Sequence, residues 1–114
     1  MRLDVYLQPS TRKDKKFMVT VFKPDGRRRT VHFGGFNVKK NEFYEDYTIH
    51  KDRERYKRYL QRHRDKEDWT ISGVFSAGFW SRWLLWNQPG LQKSITDLSK
   101  RFPSIKIIRG KPRS

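Results

Sequence analysis

The sequence predicts an α+β fold in one small domain, a β-hairpin or small antiparallel sheet packed against about three helices. Three observations predict it. Apolar residues alternate with period two near the start of the chain, and they recur at helical spacing in its second half. Aromatic residues make up 15% of 114 residues, and each buried ring removes ~150–250 Å² from water. That offsets a hydrophobic content of only 34%, which would otherwise place the chain near the disordered regime. The expected organisation is a single domain over residues 1–114, folded at its centre, with basic and mobile ends.

Leu3, Val5 and Leu7 alternate with Asp4 and Tyr6, the pattern of a half-buried strand. Phe17 to Phe22 is apolar and β-branched, Lys23-Pro24-Asp25-Gly26 is turn chemistry, and Thr30 to Phe33 supplies a return strand. Alternation sends Arg28, Thr30 and His32 to one face and Arg29, Val31 and Phe33 to the other. Gly34-Gly35 opens a loop to about Tyr47. Lys51 to Arg64 reads as a helix ~21 Å long, with Tyr56, Tyr59, Leu60 and His63 as its inward stripe. Ser76 is placed to cap a second helix, Ala77 to about Trp86, apolar nearly all round apart from Ser81 and Arg82. Such a helix belongs in a core or inside an interface; on the core reading Trp69, Phe79, Trp80, Trp83 and Leu84 join Tyr56 and Tyr59 as core residues. Pro89 fits the first turn of a third helix, to about Arg101, which Pro103 stops. Ile105 to Ile108 reads as an edge strand, followed by a basic tail of Arg109, Lys111 and Arg113.

Charge dominates the functional reading. With 27 Lys and Arg against 12 Asp and Glu, the formal net charge is +15. So small a domain cannot bury that excess, so its field reaches solvent and favours a polyanionic partner. Lys51 to Lys66 carries eight of the cations against three acids. Lys51, Arg55, Arg58 and Arg62 fall on one helix face and are suited to phosphate. The plainer alternative is a solvated face with Glu54 pairing Arg58. Arg27, Arg28 and Arg29 on the hairpin, with Arg12, Lys13, Lys15 and Lys16 before it, form a second basic set. Hairpin pairing is expected to bring the two clusters together, where a basic β-ribbon can track a phosphate backbone; protection of an edge strand explains them equally well. No zinc finger, RNP or helix-turn-helix signature is present, so binding is expected to be electrostatic and weakly sequence-selective.

Other classes find little support. The absence of Cys excludes disulfides and thiol chemistry. No apolar run approaches a bilayer span, and no signal-peptide h-region opens the chain, so a soluble protein without membrane insertion is expected. Asp46, His50, Asp52 and His63 match no metal or catalytic spacing, and Asp46 and His50 are better read as fixing the loop that enters the helix. No enzyme activity, cofactor or metal is expected.

The string Asp46-Tyr47-Thr48-Ile49-His50-Lys51-Asp52, then Glu67-Asp68-Trp69 and Ala77-Gly78-Phe79-Trp80-Ser81-Arg82-Trp83-Leu84-Leu85-Trp86-Asn87, carries a resemblance. With Asp25-Gly26-Arg27 and Thr30 to Gly34 upstream, the chain resembles a family of small basic, Trp-rich proteins of large and giant double-stranded DNA viruses (nucleocytoplasmic large DNA viruses). The resemblance spans about Val19 to Phe102 and implies a virion-associated protein, in the particle or in the cytoplasm or nucleus of the infected cell. It supplies no catalytic residues. Two roles follow as expectations. One is non-specific binding of double-stranded DNA, in packaging or lining the capsid interior. The other is a minor capsid (cement) protein that bridges shell components through a Trp-rich surface and basic arms.

Overall fold

Alternation in the first segment becomes strand β1 (Leu3–Pro9), whose Leu3, Val5 and Leu7 are buried while the residues between them are half-exposed. In the computed structural model, which describes residues 2–112, the predicted hairpin follows as β2 (Phe17–Phe22) and β3 (Arg28–Phe33), with Val19 opposite Val31 and Thr20 opposite Thr30. Its turn closes through Gly26 N–H donating to the Lys23 carbonyl at 3.0 Å, and Gly26 sits at φ +89°. The stretch expected to be a loop contains two very short paired strands, β4 (Phe36–Asn37) and β5 (Glu42–Phe43). The Asn37 side chain accepts from the Lys39 and Lys40 amides and shapes the turn between them.

A single helical turn that the sequence reading did not expect precedes the predicted helix. Asp46 caps a single turn, α1 (Tyr47–His50), which Lys51 ends in the left-handed conformation at φ 56°. Asp52 then caps α2 (Arg53–His63), accepting from the Glu54 and Arg55 amides. The helix expected from Lys51 therefore begins two residues later, because Asp52 is the better N-cap and its side chain competes for the first amides. Tyr59 on α2 is buried, and Tyr56, Leu60 and His63 are half-buried beside it.

A 3₁₀ turn at Ile71–Gly73 leads to Ser76, which caps α3 (Ala77–Trp80) by accepting from the Phe79 amide at 3.4 Å. The helix then widens into one π-helical turn, Ser81–Leu85. The buried indoles find partners: Trp80 Nε1 donates to the Val74 carbonyl at 2.7 Å and Trp83 Nε1 to the Trp69 carbonyl at 2.9 Å. Helix α4 (Leu91–Arg101) follows with Gly90 at its N-cap. Pro89 thus lies before the cap and not in the first turn, a correction to the sequence reading. Gln88 N–H instead donates to Ser94 Oγ, folding the entry back onto the helix.

Strand β6 (Ile105–Arg109) lies parallel to β1, with Val5 opposite Ile107, in a sheet of order β3-β2-β1-β6. The sheet is therefore mixed, not purely antiparallel; a parallel partner needs a long crossover, and nearly the whole chain supplies it. Val5, Val19, Val21 and Phe33 on the inner face meet Phe79, Trp80, Leu84 and Leu98, all at or near zero exposure. Trp83 is also buried; Trp69 packs against this core from its rim. On the outer face Tyr6 and Phe22 meet edge to face at 5.6 Å. Among the described residues no helix is long and apolar enough to cross a membrane. Arg113 of the expected basic tail lies outside the described residues.

Candidate nucleic-acid interface

The inward stripe of α2 determines where its basic side chains go. Tyr59 stacks on Trp86 with centroids 4.3 Å apart, and on its own helix neighbour His63 at 4.2 Å. That fixes the rotation of α2, and Arg55, Arg58 and Arg62 consequently line a groove of about 650 Å³. Gly34, Gly35 and Tyr44 form part of its lining, and Lys15 adds a fourth cation. Lys15 is held there by its neighbour. Lys16 N–H donates to the Phe33 and Gly34 carbonyls, and Lys16 Nζ pairs with buried Asp46 at 2.8 Å. Gly34 is required at this crossing: it has φ +91°, and a Cβ there would stand 2.7 Å from Lys16 Cβ.

The acids near the groove are occupied. Asp46 binds Lys16 and caps α1 through the Thr48 amide and hydroxyl; Glu45 lies 3.6 Å from Arg55; Glu67 accepts from Trp69 Nε1 and faces His63 at 3.4 Å. Glu54 pairs with Lys57, at 3.9 Å, and not with Arg58. Among the described residues no carboxylate lies within 4.0 Å of Lys15, Arg58 or Arg62. Glu45, Asp46 and Glu67 themselves line the groove, but each is engaged by another partner, so Lys15, Arg58 and Arg62 face the concavity with no carboxylate in pairing range among the described residues.

The remaining predicted cations are placed elsewhere. Lys51, expected to extend the α2 stripe, belongs to the left-handed link before the helix and does not line the groove. The two hairpin clusters do not meet. Phe17 pairs with Phe33 at one end of the ribbon and Phe22 with Arg28 at the other, so Arg12 to Lys16 and Arg27 to Arg29 are separated by ~17 Å of strand. Several are also engaged. Arg12 binds Asp14 through two nitrogens, at 2.9 and 3.1 Å, and Arg27 binds Asp25 at 2.8 Å. The hydrogen bond from Arg12 holds the Asp14 carboxyl below its ordinary pKa. The Arg27 amide and then its guanidinium do the same for Asp25. Arg28 lies over Phe22, Arg29 over Phe75, and Lys13 is exposed.

Sequence reasoning missed Arg82. It is 8% exposed, with its guanidinium 4.3 Å from the Trp83 ring centre and 5.3 Å from that of Trp69, and Nη1 donates to the Trp86 carbonyl at 2.6 Å. Burial lowers its pKa from the usual arginine value, with Tyr56 opposing. The available signal was a lone cation set inside a tryptophan run. Asp46 and His50 fix the chain where it enters the helices, as the sequence reading expected: Asp46 caps α1, and His50 Nδ1 accepts from the Asp52 amide at 2.8 Å. Among the described residues no group of three or more His, Cys, Asp or Glu side chains is placed to hold a metal ion.

Fold and groove define a small basic α+β domain with a cationic concavity on one flank. The chain belongs to a family of unknown function, DUF5754, whose model matches residues 5–63, from within β1 to the end of α2. No curated protein and no solved structure matches it significantly.

Proposed function

We propose that this is a non-enzymatic, virion-associated protein that binds double-stranded DNA non-specifically through phosphate contacts, in genome packaging or in lining a capsid interior. The observation that carries the reading is the convergence of Lys15, Arg58 and Arg62 on one groove with no acid in pairing range among the described residues. On a chain of net charge +15, such a site attracts a polyanion and gains from counterion release. Arginine suits phosphate because its planar fork donates two parallel hydrogen bonds. Arg55, shared with Glu45, is a fourth contributor. The cement-protein reading relies on a Trp-rich surface, and Trp69, Trp80, Trp83 and Trp86 are all buried or half-buried.

Gel retardation of a random-sequence duplex at ~50 mM salt tests the binding. Retardation by the protein, abolished by the double variant Arg58→Glu/Arg62→Glu, is the expected result. Retardation no greater than that of a neutral domain of similar size would end the proposal. Proteomics of purified particles tests the virion assignment separately.

A further inference from the structure

The small β4–β5 hairpin beside the groove exposes apolar side chains that the core does not need. Phe43 is 41% exposed, Tyr44 58% and Val38 80%. Phe43 is steadied by an edge-to-face contact with Phe36 at 5.3 Å. Tyr44 lines the groove itself, and its ring lies against the backbone of Gly35, where a Cβ would come within 3.0 Å of Cδ2. Lys39 and Lys40 stand exposed at the tip of the same hairpin, with no carboxylate within 4.0 Å among the described residues. An aromatic ledge thus borders a cationic groove and ends in two further cations.

We infer that groove and hairpin together form a site for single-stranded nucleic acid, with phosphates on Lys15, Arg58 and Arg62 and a base stacked on Tyr44. The inference rests on the groove being a nucleic-acid site and adds the preferred form of the ligand. A duplex keeps its bases stacked inside and offers Tyr44 and Phe43 nothing to cover them, whereas a single strand presents a π-face at every nucleotide. Stacking also explains tolerance of sequence, because every base can make it. Charge complementarity selects nucleic acid over an apolar protein partner: Lys15, Lys39, Lys40, Arg58 and Arg62 surround the ledge and outnumber the exposed acids beside it, Glu42 and Glu45, an excess whose repulsion a second copy of this chain would increase.

The test is fluorescence anisotropy at ~50 mM salt, with the full chain and a labelled oligo-dT of about 12 nucleotides, against a duplex of equal length. The expected result is tighter binding of the single strand. Tyr44→Ala should weaken single-strand binding roughly 5- to 150-fold and leave duplex binding within twofold. Tyr44→Phe, which keeps the ring, should restore it and guards against a folding defect. Equal affinity for the two forms, unmoved by Tyr44→Ala, would overturn the inference and leave the duplex reading standing. Binding of neither form would overturn both. A dimer by sedimentation that Tyr44→Ala dissociates, with single-strand affinity unchanged, would assign the ledge to a second copy and overturn the inference.

Discussion

The indole of Trp86 lies flat on the ring of Tyr59, with centroids 4.3 Å apart and planes 2° from parallel. This contact joins the end of the π-helical turn to the middle of α2, and so sets the orientation of the basic helix relative to the aromatic core. Tyr59 is buried, and burial pushes its phenol pKa well above the usual value, which favours the neutral ring.

Tyr59→Ala should therefore cost ~3–5 kcal/mol, lowering the thermal midpoint by roughly 10 °C or more. Tyr59→Phe keeps the stack and should stay within about 1 kcal/mol. Thermal denaturation followed by circular dichroism distinguishes them. Equal losses in both variants would mean that the hydroxyl, not the stacked ring, carries the stability.

Arg58→Glu/Arg62→Glu should behave in the opposite way. Both side chains are exposed and without acid partners among the described residues, so reversal should move the thermal midpoint by no more than a few degrees while DNA binding falls by more than tenfold. A large loss of stability with unchanged binding would make these residues structural.

Arg82 tests how a buried cation is tolerated without a carboxylate in pairing range among the described residues. Its stabilisation comes from the faces of Trp83 and Trp69 and from the Trp86 carbonyl, and Arg82→Ala should cost ~2–4 kcal/mol. Arg82→Met, which fills much of the same volume, is the discriminating variant. If it proves as stable as the native chain, the charge itself adds nothing net.

His50 gives a pH dependence with a definite sign. Burial is the main cause lowering its pKa, Arg55 adds to it, and Asp52, Asp46 and Glu45 oppose. Nδ1 accepts from the Asp52 amide, so the neutral ring carries its proton on Nε2, and protonating Nδ1 would break that bond. The unfolded chain thus takes up a proton near the ordinary histidine pKa of 6.5 before the folded protein does. Stability should be flat above about pH 7 and fall as pH drops through 6.5 toward the lowered native value. His50→Gln should remove most of that slope in thermal melts between about pH 7 and 5; an unchanged slope would assign it to other groups.

Much of the sheet and of the core was legible because its signals are local. Leu3, Val5 and Leu7 announce a strand with one buried face, Pro24-Asp25-Gly26 announces the hairpin, and the spacing of Tyr56, Tyr59 and His63 announces the inner side of α2. The parallel pairing of β1 with β6 was not legible, since Val5 and Ile107 are brought together by the whole intervening chain. Nor was the break at Lys51, which turns on a competition between two aspartate caps. In the groove, Arg55, Arg58 and Arg62 were found from helical spacing. Lys15 was seen only as part of a cluster, because its placement depends on Lys16 reaching Asp46, a partner thirty residues away.

The most direct measurement is the salt dependence of DNA affinity for the native chain and for Arg58→Glu/Arg62→Glu. Four groove cations predict a linear fall of log K with log salt, of slope about −3 to −4, reduced in magnitude by about 2 in the variant. A native slope near zero, or the same slope in both proteins, would contradict the claim that the cations of this groove meet phosphate.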